Sequence, residues 1–375
     1  MFACYPSIQS RINWIKIGDA PEFGHYITAT KDKIIPAGKA KSREVHPGDL
    51  ILSNSMSYGY PYILKIDGCI HDGWLLLRER NRPFDKVFLC EYLGSKSVQC
   101  QYERLAAGSA AKNLNIDLVS NVIIDLPSLQ EQRKIADLLL AVDEVIEKQQ
   151  AEITAWAQYK KGLTQKLFSQ EVRFKADDGS DFPDWRSSTL GELGTFQKGA
   201  AMSKSDISES GTPMILYGEL FTTYSEVTYN IERRTEKLVD PKFLSRSGDV
   251  LIPTSSSGGP VEEIATATCV MQDGVILGSD LLIYRTIKQI DGRVISYIIK
   301  HMLQTAITSV AQGKKIVHLK ESDLIPIKVT IPTSQEEQRK IVECLGAIDD
   351  VIALSKAELE KWRELKKGLL QQLFV

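Results

Sequence analysis

Cysteine is scarce and scattered in this sequence: Cys4, Cys69, Cys90, Cys100, Cys269 and Cys344, six in all, with no C-x-x-C pair. Such spacing fits neither a disulfide framework nor a zinc knuckle and reads as reduced thiols. No stretch nears the roughly 18 consecutive apolar residues of a membrane span, and residues 1–18 lack the basic start and apolar run of a secretory signal. A cytoplasmic protein without a membrane segment is the expectation. Neither sign of charge dominates, since 46 Lys plus Arg against 48 Asp plus Glu leave a formal net charge of -2. That excludes a polyanion binder working through bulk charge, although not local basic patches.

The tools of a self-sufficient catalyst are missing as well. There is no G-x-x-x-x-G-K-[ST] phosphate loop, no G-x-G-x-x-G after a strand, no H-E-x-x-H, no G-x-S-x-G and no N-P-P-[FYW] tetrapeptide. His25, His46, His71, His301 and His318 never fall at metal-ligand spacing. His71 beside Asp72 is the one suggestive pair, and neighbours on a strand point to opposite faces. No metal site is expected.

What the sequence does contain is a repeat. E-Q-R-K-I occurs at 131–135 and again at 337–341, an offset of 337 − 131 = 206, and sliding 131–168 onto 337–374 gives identity at 20 of 38 positions. Such self-similarity marks a duplicated structural unit. The match extends upstream, where 108–114 faces 313–319 and Pro127 faces Pro332. Further back, P-G-D-L-I-L-S at 47–53 answers S-G-D-V-L-I-P at 247–253, each followed by a Ser-rich turn, and 75–78 answers 282–285. The chain reads as globular domain, long helix, globular domain, long helix. With 43% hydrophobic residues in 375, it can bury a core in each domain.

Each long helix carries an apolar stripe stepping by four and three. The first runs Ile135, Leu139, Val142, Ile146, Gln149, Ile153, Trp156, Lys160, Leu163, Leu167. The second runs Ile341, Leu345, Ile348, Ile352, Ser355, Leu359, Trp362, Lys366, Leu369, Leu373. Polar residues interrupt both seams at equivalent places, Gln149 with Ser355 and Lys160 with Lys366, as residues that fix register do. A helix of about 40 residues would be roughly 60 Å long, too long to lie on one small domain. A generic amphipathic helix would pack on its own domain; here the matched stripes favour pairing with each other, antiparallel, with a globular domain at either end.

The globular segments carry short strand-like runs at 49–53, 63–66, 73–78, 119–125, 250–253, 281–285 and 325–331, with helical stretches at 86–97 and 292–311. The fold class expected is mixed α/β. Their loops offer hydroxyl, amide and basic groups, which suit phosphate oxygens and base edges. In the first domain these are Lys39, Lys41 and Arg43, the turn with Ser53, Asn54, Ser55 and Tyr58, and Lys112. In the second they are Lys198, Arg233, Arg234, the turn with Thr254, Ser255 and Ser256, and Lys314 with Lys315. A Ser-rich turn is more often a plain loop, and a lysine run a solvated face. Because 1–127 holds 15 basic and 13 acidic residues and 171–331 holds 18 and 21, any DNA contact must come from shaped loops.

Three features together resemble the specificity subunit of Type I restriction-modification enzymes. They are the twice-occurring P-x-x-x-E-Q-R-K-I (one residue longer in the second copy), the helix ending K-K-G-L-x-Q-x-L-F, and the link F-P-D-W-x-x-x-x-L-G-E-L at 182–193. The resemblance implies two target recognition domains, 1–127 and 170–331 with a linker at 170–184, and two conserved helices, 128–169 and 332–375. It further implies an antiparallel coiled coil that spaces the domains over a split double-stranded DNA site. Two methyltransferase subunits and motor-nuclease subunits would join this core. S-adenosylmethionine, ATP and Mg would sit on those partners, none on this chain, which would itself be no enzyme. Carried over by position, Glu131, Gln132, Arg133, Glu337, Gln338 and Arg339 fall where the methyltransferases are expected; capping and ion pairs at a helix start are the competing reading.

One departure concerns the opening segment. Subtracting 206 from Trp185 gives a negative number, so the W-x-x-x-x-L-G-E-L element has no counterpart before Asn13. The run N-W-I-K-I-G-D at 13–19 instead resembles the later P-M-I-L-Y-G-E-L at 213–220. A first domain short of an edge element is expected. Two rival functions stay open: a stand-alone tandem DNA-binding regulator with the coiled coil as spacer, and a coiled-coil adaptor with no sequence preference.

Overall fold

The computed structural model describes residues 11–21, 24–54, 59–78, 84–106, 114–313 and 316–374. It divides into two compact units, residues 1–152 with 355–375, and residues 153–354. Each holds one α/β domain and a stretch of both long helices, Leu129–Phe168 and Gln335–Leu373. No helix among the described residues is long and apolar enough to cross a membrane.

In the first unit, β1 (Ile12–Ile15), β3 (Asp32–Ile34), β4 (Arg43–Val45) and β7 (Gly68–Ile70) form a sheet ordered β3-β1-β7-β4. A second sheet, β2-β6-β5-β8, uses β2 (Tyr26–Ile27), β5 (Leu50–Ser53), β6 (Pro61–Leu64) and β8 (Trp74–Leu77). The second unit repeats this plan. Its strands are β9 (Arg186–Thr189), β10 (Gly194–Lys198), β11 (Thr212–Ile215), β12 (Val227–Thr228), β13 (Arg234–Thr235), β14 (Asp249–Pro253), β15 (Thr268–Val270), β16 (Ile276–Leu277), β17 (Leu281–Thr286) and β18 (Lys328–Ile331). They form β13-β11-β16, β10-β17-β14-β15-β12 and β18-β9. The parallel pairs match between copies, β1 with β7 as β11 with β16, and β2 with β6 as β12 with β15. So the run at 13–19 does occupy the place of 213–220 in the repeat.

Four sequence expectations need correction. The stretch 119–125 is no strand: a short helix, Ile116–Ser120, ends there and the chain continues extended without joining a sheet. Its counterpart β18 is a strand because β9 pairs with it, and the first domain has no equivalent of β9 among the described residues. Of 325–331, only Lys328–Ile331 is strand, preceded by the helical turn Glu321–Leu324. The helix at 86–97 breaks at Ser95, which is extended, into Lys86–Gly94 and Lys96–Ala106, and the one at 292–311 breaks into Gly292–His301 and Gln304–Val310.

Within each unit the long helices run antiparallel. In the first, Asp143 meets Lys366 and Gln149 donates to the Ser355 carbonyl; in the second, Lys160 meets Asp349. Leu139, Val142, Ile146, Ile153, Ile341, Leu345, Ile348 and Leu359 are buried, with Ile135, Ile352, Trp156 and Trp362 half-buried. The helices also pack on their domains: Ala136, Leu139 and Phe374 share a core with Phe88, Leu89 and Tyr102, and Ile341, Val342 and Leu345 share one with Val294, Tyr297 and Ile298. Pairing and domain packing, posed by the sequence as alternatives, coexist because each helix is wide enough in apolar surface to do both.

The lysines that interrupt the stripes are the centres of two equivalent polar clusters. In the first unit Lys366 Nζ lies 2.7 Å from Asp143 Oδ1 and 3.0 Å from Glu91 Oε1. His25 Nε2 lies 2.8 Å from Asp143 Oδ2 and 3.0 Å from Glu91 Oε1. In the second, Lys160 Nζ lies 2.6 Å from both Asp349 Oδ1 and Glu226 Oε2, His301 Nε2 lies 2.6 Å from Glu226 Oε1, and Tyr297 donates to Asp349 at 2.7 Å. Burial alone would lower the His25 pKa, but hydrogen bonds to Asp143, Cys90 and Glu91 outweigh it and push it up to about 12. Burial would likewise raise Glu91 and Asp143, yet His25 and Lys366 hold both carboxyls below their ordinary values.

Two outcomes follow from these clusters. Lys366→Ala leaves two buried carboxylates with His25 as their remaining cationic partner, and unfolding by denaturant should show a loss of about 3–5 kcal/mol, the usual cost of breaking a buried ion pair from one side. Because the folded pKa of His25 is raised, its contribution is complete below about 6.5 and is lost only as pH climbs toward about 12. The contribution of Glu91 and Asp143 runs the other way, present above the ordinary carboxylate range and lost on acidification. The His25 imidazole resonances followed by NMR should therefore stay at their protonated positions from pH 5.5 to 9.

Candidate nucleic-acid interface

A cleft of about 790 Å³ opens in the second domain where four chain segments converge. Its walls include Lys198 at the end of β10, Thr254 and Ser255 just after β14, Asp280 before β17, and His318 with Lys320. These loops meet because β10, β17 and β14 are adjacent, so their ends open on one side. The Thr254 amide donates to the Asp280 carbonyl and the Leu319 amide to the Thr254 carbonyl, which pins the turn between its neighbours. Ser255 Oγ and His318 Nδ1 are 3.0 Å apart, while Lys198 and Lys320 are exposed. Hydroxyl, imidazole and ammonium groups on one concave wall can donate to phosphate oxygens and exchange hydrogen bonds with base edges.

The structure brings together Lys198, Thr254 and Ser255 of the sequence candidates and adds His318 and Lys320. His318 escaped a search keyed to metal spacing; its place opposite the turn could have been read from the match of 313–319 with 108–114. Lys314 and Lys315 lie outside the described residues, as do Ser55, Tyr58 and Lys112 in the first domain. Ser256 is buried and engaged: its amide donates to the Val317 carbonyl and its hydroxyl accepts from the Val317 amide. Ser53 is likewise buried and accepts from the Tyr60 amide. Both serines have their hydroxyls engaged within the turns.

Arg233 lies in a separate cleft of about 470 Å³, paired with Glu219 at 2.8 Å, and exposed Arg234 donates to the Gly211 carbonyl. In the first domain Lys39 pairs with Glu44, Lys41 and Arg43 are exposed, and half-buried Asn54 donates to the Asp72 carbonyl. Asn54 accepts from the Leu114 amide as Thr254 accepts from Leu319, so the two turns are built alike.

The helix-start residues divide. Gln132 and Gln338 are buried, and their side-chain amides bond within their own unit. Gln132 accepts from the Asp85 amide and donates to the Pro127 carbonyl; Gln338 accepts from the Asp291 amide and donates to the Pro332 and Gln289 carbonyls. Glu337 is fully buried under a two-pronged pair with Arg173. These three act as clamps within the chain. Glu131, Arg133 and Arg339 remain exposed.

His25, Glu91 and Asp143 form a cluster with the donor types of a metal site. The Lys366 ammonium already stands between the two carboxylates, so the cationic place is taken by a side chain.

An α/β domain thus occurs twice, each copy seated on a stretch of the two paired long helices. The chain belongs to the family of Type I restriction modification DNA specificity domains, whose sequence pattern matches residues 11–155 and 183–362. It is 22% identical over 349 residues to the Type I restriction enzyme MjaVIII specificity subunit of Methanocaldococcus jannaschii, across 88% of this chain and 79% of that one. Its fold resembles the S subunit of a Type I restriction-modification system from M. genitalium, with TM-score 0.56 at 18% identity over 97% of this chain and 92% of that chain. It also resembles a chain from a structure on complex assembly and conformational transition of the type I R-M system, with TM-score 0.56 at 19% identity over 97% and 91%.

If the cleft tracks a phosphate backbone, Lys198→Ala and Lys320→Ala should each lower the slope of log affinity against log salt by about 1. Binding to duplex DNA measured over a salt series checks this.

Proposed function

We propose that this chain is the non-catalytic, DNA-reading subunit of a Type I restriction-modification complex and that it recognises a bipartite, asymmetric site in double-stranded DNA. The observation that carries the reading is the duplication: two α/β domains of one topology present the same kind of turn, Asn54 after β5 and Thr254 after β14, with different side chains around it. One backbone plan with two sets of loop residues suits two different half-sites, because base discrimination rests on a few placed donors and acceptors. The paired helices would set the distance between half-sites and dock two methyltransferase subunits and the motor-nuclease subunits. Exposed Glu131, Arg133 and Arg339 at the helix starts are the residues offered to them. S-adenosylmethionine, ATP and Mg would be bound by those partners. The site of action would be the cytoplasm, with the host chromosome.

Co-expression with a cognate methyltransferase subunit, followed by mapping of methylated adenines in genomic DNA, tests this. A split motif with two defined halves is the expected result. A single contiguous motif, or specific DNA binding by the chain alone with no complex formed, would favour the stand-alone regulator instead.

A further inference from the structure

The strands β1 and β11 run into the same turn. In the second domain the Leu216 amide donates to Glu219 Oε2 at 2.9 Å, and in the first the Lys16 amide donates to Asp19 Oδ2 at 2.8 Å. The neighbouring strands keep register as well. Trp14 pairs with Asp32 in the first domain. In the second, the Met214 amide donates to the Arg233 carbonyl, one step on from the pairing of Pro213 with Arg234. Arg233 therefore stands where the first domain has Asp32.

What surrounds this position differs between the copies. In the second domain Glu219 is buried, and its Oε1 lies 2.8 Å from Arg233 Nε. In the first, the other oxygen of Asp19 accepts from the Lys31 backbone amide at 3.0 Å, and Asp32 is paired with Lys16. Asp19 holds its turn without an arginine, so the turn does not require Arg233. Glu219 is itself fixed by the Leu216 amide and holds the guanidinium by its inner nitrogen. The two terminal nitrogens remain as a planar fork on the wall of the cleft of about 470 Å³, which half-buried Tyr217 also lines. Asp280 belongs to the walls of both this cleft and the larger one beside the Thr254 turn, so the two adjoin.

Such a fork suits two parts of a duplex, the phosphate oxygens and the acceptor edge of a base. The difference between the copies decides between them. Phosphates are alike in every half-site, so a phosphate contact asks for a cation in both domains, yet the first domain places a carboxylate here. A side chain that changes sign between two copies of one scaffold answers to the feature in which two half-sites differ, their bases. We infer that Arg233, positioned by Glu219, is a specificity-determining residue of the second domain and reads a guanine through its O6 and N7 acceptors. This rests on the DNA-reading role proposed above and adds to it the residue and the base. Arginine matches that acceptor pair with two parallel hydrogen bonds, whereas lysine brings the same charge without the fork.

The test uses the full chain in complex with its cognate methyltransferase subunit. Methylated adenines are mapped first, and methylation rates are then measured on duplexes that vary one motif position at a time. For the unmodified chain, replacing one guanine of one half-site should slow methylation by about tenfold to a hundredfold. Arg233→Lys should abolish most of that preference at this position and keep every other. Glu219→Gln, which still accepts from the Leu216 amide, should relax the same position to a smaller degree. A split motif that Arg233→Lys leaves intact would overturn the inference, and a uniform fall at all sites in Arg233→Ala would then mark a phosphate contact. Relaxation at an A·T position would overturn the assignment to guanine. An unmodified chain that yields no two-part motif would overturn the proposed function itself, and this inference with it.

Discussion

The structure depends on placing a lysine ammonium inside a helix seam without leaving it unpaired. Lys160 and Lys366 occupy stripe positions that an ordinary coiled coil would give to leucine, and each finds an aspartate on the opposite helix and a glutamate from the domain. A buried ion pair of this kind adds little over an apolar substitute, because desolvation offsets most of the attraction. Its effect is selective. Sliding one helix by a turn would separate Lys366 from Asp143 and leave both charges in a low-dielectric seam. The same ammonium ties the domain to the helices, so helix register and domain seating are one constraint in each unit.

A second constraint works at the helix starts. Gln132 joins the N-terminal end of the domain helix at Asp85 to the chain entering the long helix at Pro127, and Gln338 does the same with Asp291 and Pro332. A side-chain amide satisfies a donor and an acceptor at once, which a charged or apolar residue there could not do. The E-Q-R-K-I motif is therefore split by the helix surface: its glutamine faces the domain, and its arginine faces out.

The repeat, the stripes and their polar interruptions were legible in the sequence because helical periodicity and self-similarity are local properties of the text. The partners of Lys160 and Lys366 were not. Glu91, Glu226, His25 and His301 come from loops and helices of the domains, far away in the chain and without periodicity. Asp143 and Asp349 sit one position past stripe residues, and only their identity across the repeat marks them. The strand expected at 119–125 failed for a related reason: its residues have strand character, but a strand exists only where a neighbour accepts its hydrogen bonds. In the loops, burial decided what composition could not, turning Ser53 and Ser256 into scaffold.

The two polar clusters reach the same set of groups by different routes. In the first domain the residue ahead of β2 is the base, His25, and the domain helix brings the acid, Glu91; in the second the residue ahead of β12 is the acid, Glu226, and the helix brings the base, His301. The long helices contribute one lysine and one aspartate in both cases. Each domain thus brings one carboxylate and one imidazole to its seat. A domain of either kind therefore meets the same pair of helix side chains, one lysine and one aspartate, at its seat.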